Sequence, residues 1–405
     1  MTTLDERPTA RHPETHESPT PWPEARRIAA GAAQPLPARD APLRRCRGRA
    51  LAEPLVAGLA LPGFDTAAMD GYAVAGPAPW RVVGRILAGR EAVIDRIAAG
   101  EAAEIATGAL VPAGATAVLP YEQAGRAGEL VTGSVEAGRH IRRRGEECAE
   151  GREVLPAGTV VSPAALGLAA SLGCDRLAVH RRPQVAVLVT GDEVVRRGTP
   201  PPGRVRDAIG PLLPGLVEWA GGEPLPTTYV PDGRTPLAEG LTRAARATDV
   251  IAACGASSRG PADHLRGTLR ELGAAFLIDG VACRPGHPQL LARLPCGTLV
   301  AGLPGNPYAA YAAGLTLLAP LLGRLSGRTP PGPRYAPLSP APGGTAPHPR
   351  DTRLVAVTLD AAGRATPVGR DRPGLLWGAA AADALAVLPP GGELPPEAEL
   401  LELPQ

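Results

Sequence analysis

The sequence contains no lysine, and each of its 42 strongly basic residues is an arginine. This excludes two kinds of chemistry: a Schiff base on a lysine amine, and the lysine that a Walker-type loop places against nucleotide phosphates. Acidic residues number 40, which leaves a formal net charge of +2 at pH 7. Because basic and acidic residues are nearly equal in number, the net charge favours neither a nucleic acid nor a membrane as partner. Any anion site must therefore be local.

Cysteine pairs with the spacing of a metal site are also missing. Six cysteines are scattered over 405 residues without any C-x-x-C pair, which favours free thiols in a reducing compartment. The first two dozen residues carry charges and prolines where a signal peptide needs an apolar segment. The most apolar run, residues 308–323, is interrupted by Gly314 and Pro320 and is short for a membrane span. We therefore expect a cytoplasmic protein without a membrane partner.

Bulky side chains are scarce, since aromatic residues make up 3% of the chain and there are only two phenylalanines and two methionines. One phenylalanine and one methionine occur within residues 61–74, LPGFDTAAMDGYAV, where a proline–glycine turn leads into a short strand. Asp65 and Asp70 flank the small residues between them. A turn with an acid at each end fits a functional site, and it equally fits solvated turn and cap residues.

The length and the 44% apolar content predict two to four domains with several cores. Residues 1–23 are rich in proline and charge, which predicts a disordered tail. Short runs at residues 80–87, 103–107 and 117–121 predict a compact β module, and residues 329–405 predict a small all-β appendage. Between these modules, Ser162 followed by Pro163 predicts the start of a helix.

Strands alternate with helices from residue 182 onward. The unbroken apolar run 185–190 predicts a strand buried on both faces. Further strands are predicted at 225–230, 249–254, 275–278 and 298–301, and helices at 211–220, 235–247 with Thr235 as cap, 263–272 and 308–322. This alternation predicts a mostly parallel, doubly wound sheet, whose ligands bind at the carboxyl ends of the strands.

Three loops at those carboxyl ends are rich in small and polar residues: TGDE at 190–193, GASSRGPAD at 255–263 and GLPGNP at 302–307. Small residues let backbone N–H groups point at a ligand, and a helix N-terminus adds a positive dipole end, which together suit a phosphate. Asp192, Glu193 and Asp263 supply the oxygen ligands that a divalent cation needs. One such loop is ordinary turn chemistry, but three on one rim favour a site for a phosphate and a metal.

A charged segment, GRHIRRRGEE at 138–147, precedes this region. Such a run is typical of a solvated face. If it is functional, its arginines would hold a phosphate and Glu147 would hold a cation.

These motifs together resemble the molybdopterin molybdenumtransferase family, whose animal member is the E domain of gephyrin. The resemblance is carried, in the family's order, by residues 62–74, 105–109, 142–146, 190–193 and 303–307. It implies an elongated homodimer whose subunits have a linker domain (24–57 and 139–180), an inserted β domain (58–138), a doubly wound molybdopterin-binding domain (181–328) and a C-terminal β barrel (329–405). It also implies a cleft between the doubly wound domain of one subunit and the Asp70 domain of the other.

The reaction implied by the resemblance is insertion of molybdate into the dithiolene of adenylylated molybdopterin, assisted by Mg²⁺, with release of AMP. The resemblance implies catalytic residues Asp70, Thr107, Glu193, Asp232 and Asp263, and metal ligands Glu193, Asp263 and Glu147. Expected substrate-binding residues are Gly191, Asp192, Ser257, Ser258, Arg284, His287, Pro304, Gly305, Asn306 and Pro307. Molybdopterin adenylyltransferase and recipient molybdoenzymes are the expected protein partners.

Several positions depart from the family pattern. Arg284 and His287 stand where lysines are common, Glu147 stands for an Asp, and Ala256 follows Gly255 where a second glycine is usual. The segment 206–209, RDAI, lacks two usual polar side chains. These changes motivate an alternative function, a catalytically weakened paralogue that binds or carries molybdopterin or the finished cofactor. A pure scaffold would leave the retained acids unexplained.

Overall fold

The computed structural model describes residues 18–89, 94–255, 264–339, 346–369 and 372–404. The chain divides into two compact units. The larger unit contains residues 1–37 and 181–405, and the smaller unit is the continuous segment 38–180. The smaller unit is therefore inserted into the chain of the larger one.

The larger unit is built on a seven-stranded sheet. In spatial order its strands are Glu223–Pro224, Gln184–Thr190, Val250–Cys254, Leu299–Leu303, Leu290–Arg293 and Ala275–Asp279, with Thr228–Val230 also paired to Gln184–Thr190. Pairing is parallel except at Leu290–Arg293, which runs antiparallel to both of its neighbours, Leu299–Leu303 and Ala275–Asp279. The predicted mostly parallel sheet is confirmed, whereas the strand Leu290–Arg293, which lies between Leu299–Leu303 and the edge strand Ala275–Asp279, had not been predicted.

Helices cover both faces of this sheet. The helices of the unit are Trp22–Gly31, Ile209–Trp219, Arg234–Ala245, Leu265–Glu271, Pro307–Ala313, Ala319–Leu325 and Trp377–Ala381. Val187 packs on one side with Leu213, and Leu188 packs on the other with Leu241. Alternate residues of one apolar strand therefore enter two separate cores, as a doubly wound sheet requires. The predicted cap Thr235 is wrong, because the helix begins at Arg234 after Gly233.

The most apolar helix lies within the larger core. A π-helical segment, Gly314–Leu318, joins its two α-helical parts into a span of 19 residues, Pro307–Leu325. That span is long and apolar enough to cross a membrane, but 78% of its most apolar window is buried inside the protein. Such burial is typical of a core helix.

A second seven-stranded sheet contains the C-terminal residues. Its strands, in spatial order, are Thr20–Pro21, Val281–Arg284, Thr352–Leu359, Ala384–Leu388, Glu397–Glu402 and Arg334–Pro337, with Ala365–Pro367 also paired to Thr352–Leu359. Residues 329–405 are mostly β as predicted, but they also contain the short helix Trp377–Ala381, so the region is not all-β. Two of its strands come from outside residues 329–405, which the sequence did not indicate.

The N-terminal boundary differs from the prediction. Residues 20–23 are not part of a disordered tail, because Thr20 pairs with Val281 and Trp22 begins a helix. Trp22 is 3% exposed, and its indole N–H donates to the Thr316 hydroxyl at 3.1 Å. Residues 24–37 likewise group with the larger unit. Composition alone misses a single tryptophan that anchors a proline-rich segment.

The smaller unit holds the predicted β module. Its six-stranded sheet has the order Ala117–Pro120, Gly71–Val74, Glu101–Ile105, Trp80–Ile86, Leu130–Thr132 and Gly125–Ala127. Shorter strand pairs are Ala38–Pro42 with Arg176–His180, Leu55–Val56 with Glu153–Leu155, and Thr66–Ala67 with Ile141–Arg142. The helix Pro163–Ser171 is capped as predicted, since Ser162 Oγ accepts the Ala165 N–H at 3.1 Å. The subdivision of this unit into a linker and an inserted domain remains a prediction.

Candidate active site

Three loops meet at one edge of the doubly wound sheet. The strands that precede them are neighbours, with Val189 paired to Cys254 and Cys254 paired to Leu303. The Thr190 hydroxyl donates to the Cys254 carbonyl at 3.1 Å. A Cβ on Gly255 would lie 2.4 Å from the Thr190 carbonyl oxygen, and the φ of Gly255 is +102°. Only a glycine fits at position 255, because any side chain there would collide with Thr190. The glycine therefore allows the first two loops to come into contact.

The third loop closes against the second. A Cβ built on Gly305 would lie 3.4 Å from the Cα of Gly255. Pro304 is buried, Gly305 and Asn306 are exposed, and the helix begins at Pro307 without a side-chain cap from Asn306. The structure thus places the third loop, which holds the four predicted substrate-binding residues Pro304, Gly305, Asn306 and Pro307, against Gly255.

Two of the predicted acids on this rim, Asp192 and Asp232, each accept a hydrogen bond from the other's backbone N–H. The Asp192 N–H donates to Asp232 Oδ2 at 3.1 Å, and the Asp232 N–H donates to Asp192 Oδ1 at 3.3 Å. Arg204 Nη1 donates to the Asp192 carbonyl at 2.7 Å. Both acids are exposed. One oxygen of each carboxylate therefore fixes the other loop, and each side chain remains open to solvent.

Glu193 lies beside these acids in sequence and is exposed. Its carboxylate rests over Gly191, where a Cβ would lie 2.5 Å from Glu193 Oε2. The glycine at 191, with φ of +133°, therefore makes room for the acid. The predicted residues Ser257, Ser258 and Asp263 lie outside the described residues.

Asp70 and Thr107 meet in the smaller unit. The backbone N–H of Thr107 donates to Asp70 Oδ1 at 2.7 Å, and both residues are exposed. The Asp70 carbonyl accepts the Tyr121 N–H at 3.2 Å. Two other segments of the β module thus hold the Asp70 turn, and the Thr107 contact uses the main chain.

Asp65, the other acid of the same turn, has different partners. Its carboxylate accepts the Arg144 N–H at 2.9 Å and pairs with Arg143 Nη1 at 2.6 Å. The hydrogen bond from Arg144 and then that from Arg143 hold the pKa of Asp65 below its ordinary value. Arg143 is therefore engaged in the fold, which agrees with a structural role for Asp65. Glu147 is exposed in the same segment.

Arg284 and His287 line a cavity of about 1030 Å³ in the larger unit. The sequence had not indicated the other charged residues there: Arg350, Asp351, Glu397 and Glu399. Arg284 Nε donates to Asp351 Oδ2 at 2.7 Å. Arg284 and His287 therefore lie in one cavity, but as many carboxylates as basic side chains line it, and its role as a basic pocket stays a prediction. An acid directly after an arginine in a proline-rich stretch had not stood out in the sequence.

Asp207 and Tyr229 form another pair that sequence reasoning missed. Asp207 Oδ1 accepts the Ile209 and Gly210 N–H groups at 3.0 and 2.9 Å, and Tyr229 donates its hydroxyl to Asp207 Oδ2 at 2.7 Å. Burial, followed by this hydrogen bond, raises the pKa of Tyr229. Arg196 stacks 4.9 Å from the Tyr229 ring centroid. An acid two residues before a helix is a cap signal that could have identified Asp207.

Within the described ranges, no group of three or more His, Cys, Asp or Glu side chains is placed to hold a metal ion. Mg²⁺ is usually bound by one or two carboxylates together with substrate phosphates. The exposed acids Asp192, Glu193 and Asp232 provide oxygen donors of that kind. Their chemistry therefore fits a cation that completes its ligand shell with phosphate and water.

Comparison with known proteins gives consistent matches. Residues 20–173 match the family model described as "MoeA N-terminal region (domain I and II)", and residues 186–324 match "Probable molybdopterin binding domain". The molybdopterin molybdenumtransferase of Nostoc sp. is 32% identical over 69% of this chain and 67% of its own length. That of Synechococcus elongatus is 33% identical over 73% and 77%.

A solved structure matches across both units. The crystal structure of the molybdopterin biosynthesis MoeA protein from Pyrococcus horikoshii has a TM-score of 0.78 and 26% sequence identity to this chain. The match covers 95% of this chain and 99% of the other. The likeness therefore extends over nearly the whole fold.

Proposed function

The chain belongs to the molybdopterin molybdenumtransferase family, and from that premise we propose that it inserts molybdate into adenylylated molybdopterin and releases AMP. Membership identifies it as a transferase of molybdenum cofactor biosynthesis with a molybdopterin-related small-molecule substrate. The observation that carries the finer proposal is the rim, where tightly apposed glycine loops lie beside exposed carboxylates.

The rim suits a pterin phosphate. Gly255 and Gly305 bring two backbones within contact of each other, so a phosphate can approach the main chain without meeting side chains. In this proposal Gly191, Asp192, Ser257, Ser258 and the segment 304–307 bind the adenylylated substrate. Thr190 and Cys254 keep the first two loops in register through their hydrogen bond.

Mg²⁺ would be held by Glu193 and Asp263, with Glu147 as a further proposed ligand and Asp232 nearby as a catalytic acid. When bound, the cation neutralises negative charge on the phosphate oxygens. The protein's own contribution is positional. Asp192 and Asp232 fix two loops through each other's N–H groups, which holds their free carboxylate oxygens in place.

Molybdate, the second substrate, would enter the cavity lined by Arg284, His287 and Arg350. Guanidinium groups bind tetrahedral oxyanions through several N–H donors at once. His287 is exposed on the cavity wall.

Asp70 and Thr107 would act from the partner subunit of a homodimer in the cytoplasm. The exposed Asp70 carboxylate, held by one backbone N–H, is available to a substrate. Molybdopterin adenylyltransferase and recipient molybdoenzymes are the proposed protein partners, supplying the substrate and accepting the product.

The direct test is AMP release from adenylylated molybdopterin by the purified chain with Mg²⁺ and molybdate. We expect molybdate-dependent AMP release, and a loss of about 100-fold in Asp232→Asn. Glu239→Gln is the matched control, since Glu239 is an exposed acid on a helix of the same unit. Absence of AMP release, under conditions where the Nostoc relative turns over, would contradict the proposed reaction.

The same samples distinguish the proposed transferase from the alternative, a carrier without turnover. The departures from the family pattern at Ala256 and Glu147 motivate this alternative, a protein that binds molybdopterin or finished cofactor without turnover. Calorimetric binding of molybdopterin with no AMP release would support that carrier. Turnover at the rate of the relative would exclude it.

A further inference from the structure

One carboxylate in the large cavity of the larger unit is unlike the others. Asp351 is 6% exposed, whereas Glu397 is exposed and Glu399 is half-buried. A buried carboxylate is costly unless a cation or hydrogen bonds compensate for its lost hydration. Asp351 must therefore have a partner that justifies its place in the wall of the cavity.

The partner is Arg284. Its Nε lies 2.7 Å from Asp351 Oδ2. His348 does not substitute for it, although His348 Nδ1 lies 3.3 Å from the same oxygen. That nitrogen accepts the Asp351 N–H at 3.0 Å, so it carries no proton to donate to the carboxylate. The arginine is thus the cation that neutralises Asp351.

The geometry divides the Arg284 guanidinium into two ends. Asp351 engages the Nε edge, while the side chain as a whole remains 59% exposed. A guanidinium has five N–H donors, and four of them are on the two Nη atoms away from this contact. Strand pairing strengthens the arrangement, because Arg284 is in register with Arg353, two residues from Asp351.

We propose that Asp351 is a positioning residue for the oxyanion cavity: it fixes the Nε edge of Arg284, presents the Nη groups to the ligand, and offsets one positive charge. The inference rests on the proposed function in that the oxyanion is molybdate. Two consequences follow. Arg284 is already oriented before the ligand binds, and the cavity attracts dianions less strongly than its arginines alone would.

Two substitutions separate orientation from charge. Asp351→Asn keeps an acceptor for Arg284 Nε and removes the negative charge, so we expect molybdate to bind at least about fivefold tighter. Asp351→Ala removes both the charge and the acceptor, so its affinity should be at least about threefold weaker than that of Asp351→Asn. Isothermal titration of molybdate into the full chain, at fixed ionic strength, measures both.

The matched control is Glu397→Gln, which removes the same formal charge from an exposed position of the same cavity. Because solvent screens exposed charges, its effect on molybdate affinity should stay below about twofold.

Arg284→Lys tests the other side of the pair. Lysine keeps the charge but has no second set of donors, so affinity should fall about threefold or more. Since Arg284 is largely exposed, this variant keeps the test decisive if an Asp351 variant misfolds.

Some results would overturn the proposal. If Asp351→Asn binds molybdate no tighter than the native chain, or if Glu397→Gln tightens binding equally, Asp351 does not set the charge at Arg284. If Asp351→Ala equals Asp351→Asn, or Arg284→Lys equals the native chain, Asp351 does not orient the arginine. These failures leave the proposed reaction intact, whereas a native chain that binds no molybdate contradicts the proposed cavity itself.

Discussion

Asp65 and Asp70 lie in one turn of the smaller unit, yet their surroundings differ in kind. Asp65 accepts one hydrogen bond from the main chain of Arg144 and one from the side chain of Arg143. Asp70 accepts one backbone N–H and faces solvent. An acid whose charge is already neutralised serves the fold, whereas an acid held in place without a cation can serve a substrate. Asp207 and Asp232 differ in the number of their partners: both oxygens of Asp207 accept hydrogen bonds at the start of a helix, whereas Asp232 on the rim accepts one backbone N–H.

The sharpest test of the contrast is Asp70→Asn. The carboxamide keeps the acceptor for the Thr107 N–H, so the fold should be unchanged, while the lost charge should reduce AMP release by about 100-fold or more. Initial rates and a thermal melt measure the two effects. A melt shifted by several degrees together with intact activity would reverse the roles assigned to the two acids.

Asp207→Ala should have the next largest effect, and it should act on stability. It removes the cap of the helix that begins at Ile209 and leaves the part-buried Tyr229 hydroxyl without its acceptor. We expect a loss of about 2 kcal/mol in the free energy of unfolding, measured by urea denaturation. Glu218→Gln, near the other end of the same helix, is the control. A change below the error of the titration would show that other groups cap this helix.

Asp65→Asn should be milder. The ion pair with Arg143 is partly exposed, so solvent screening limits the loss to about 1 kcal/mol. AMP release measured below the melting range should stay within about twofold of the native rate, since only the fold is affected. A large loss of activity with unchanged stability would place Asp65 in the catalytic machinery.

The smallest predicted effect is a pH dependence. Because the pKa of Asp65 is lowered in the folded state, its stabilising contribution is fully present above the unfolded pKa, near 4. It is lost as the pH falls below that value and through the folded pKa. Native and Asp65→Asn proteins should therefore converge in stability in acid and differ by less than about 1 kcal/mol at neutral pH. Equal differences at pH 7 and pH 2.5 would contradict the assignment.

Local patterns in the sequence predicted most of the doubly wound sheet. An unbroken apolar run such as 185–190 indicates a buried strand, and Ser162 before Pro163 indicates a helix start; the structure confirms both. The described starts of the three loops also lie together, because adjacent parallel strands end at one edge. The family resemblance is confirmed by the matching models and relatives.

Contacts between distant residues could not be predicted. Asp65 pairs with an arginine 78 residues away, and Arg284 pairs with an acid 67 residues away. No periodicity or turn signal specifies such partners, since they depend on how the strands are brought together. For the same reason the strands Thr20–Pro21 and Leu290–Arg293 were missed, because each gains stability only from neighbours in a completed sheet.

The pairing of Thr20 with Val281 also has a consequence during synthesis on the ribosome. The first strand leaves the exit tunnel about 260 residues before its partner, a delay of roughly 15–50 s at ordinary elongation rates. The continuous segment 38–180 can meanwhile complete its own contacts. The strand Thr20–Pro21 therefore gains its partner only after residues 281–282 have been translated, and Trp22 gains its hydrogen bond to Thr316 later still.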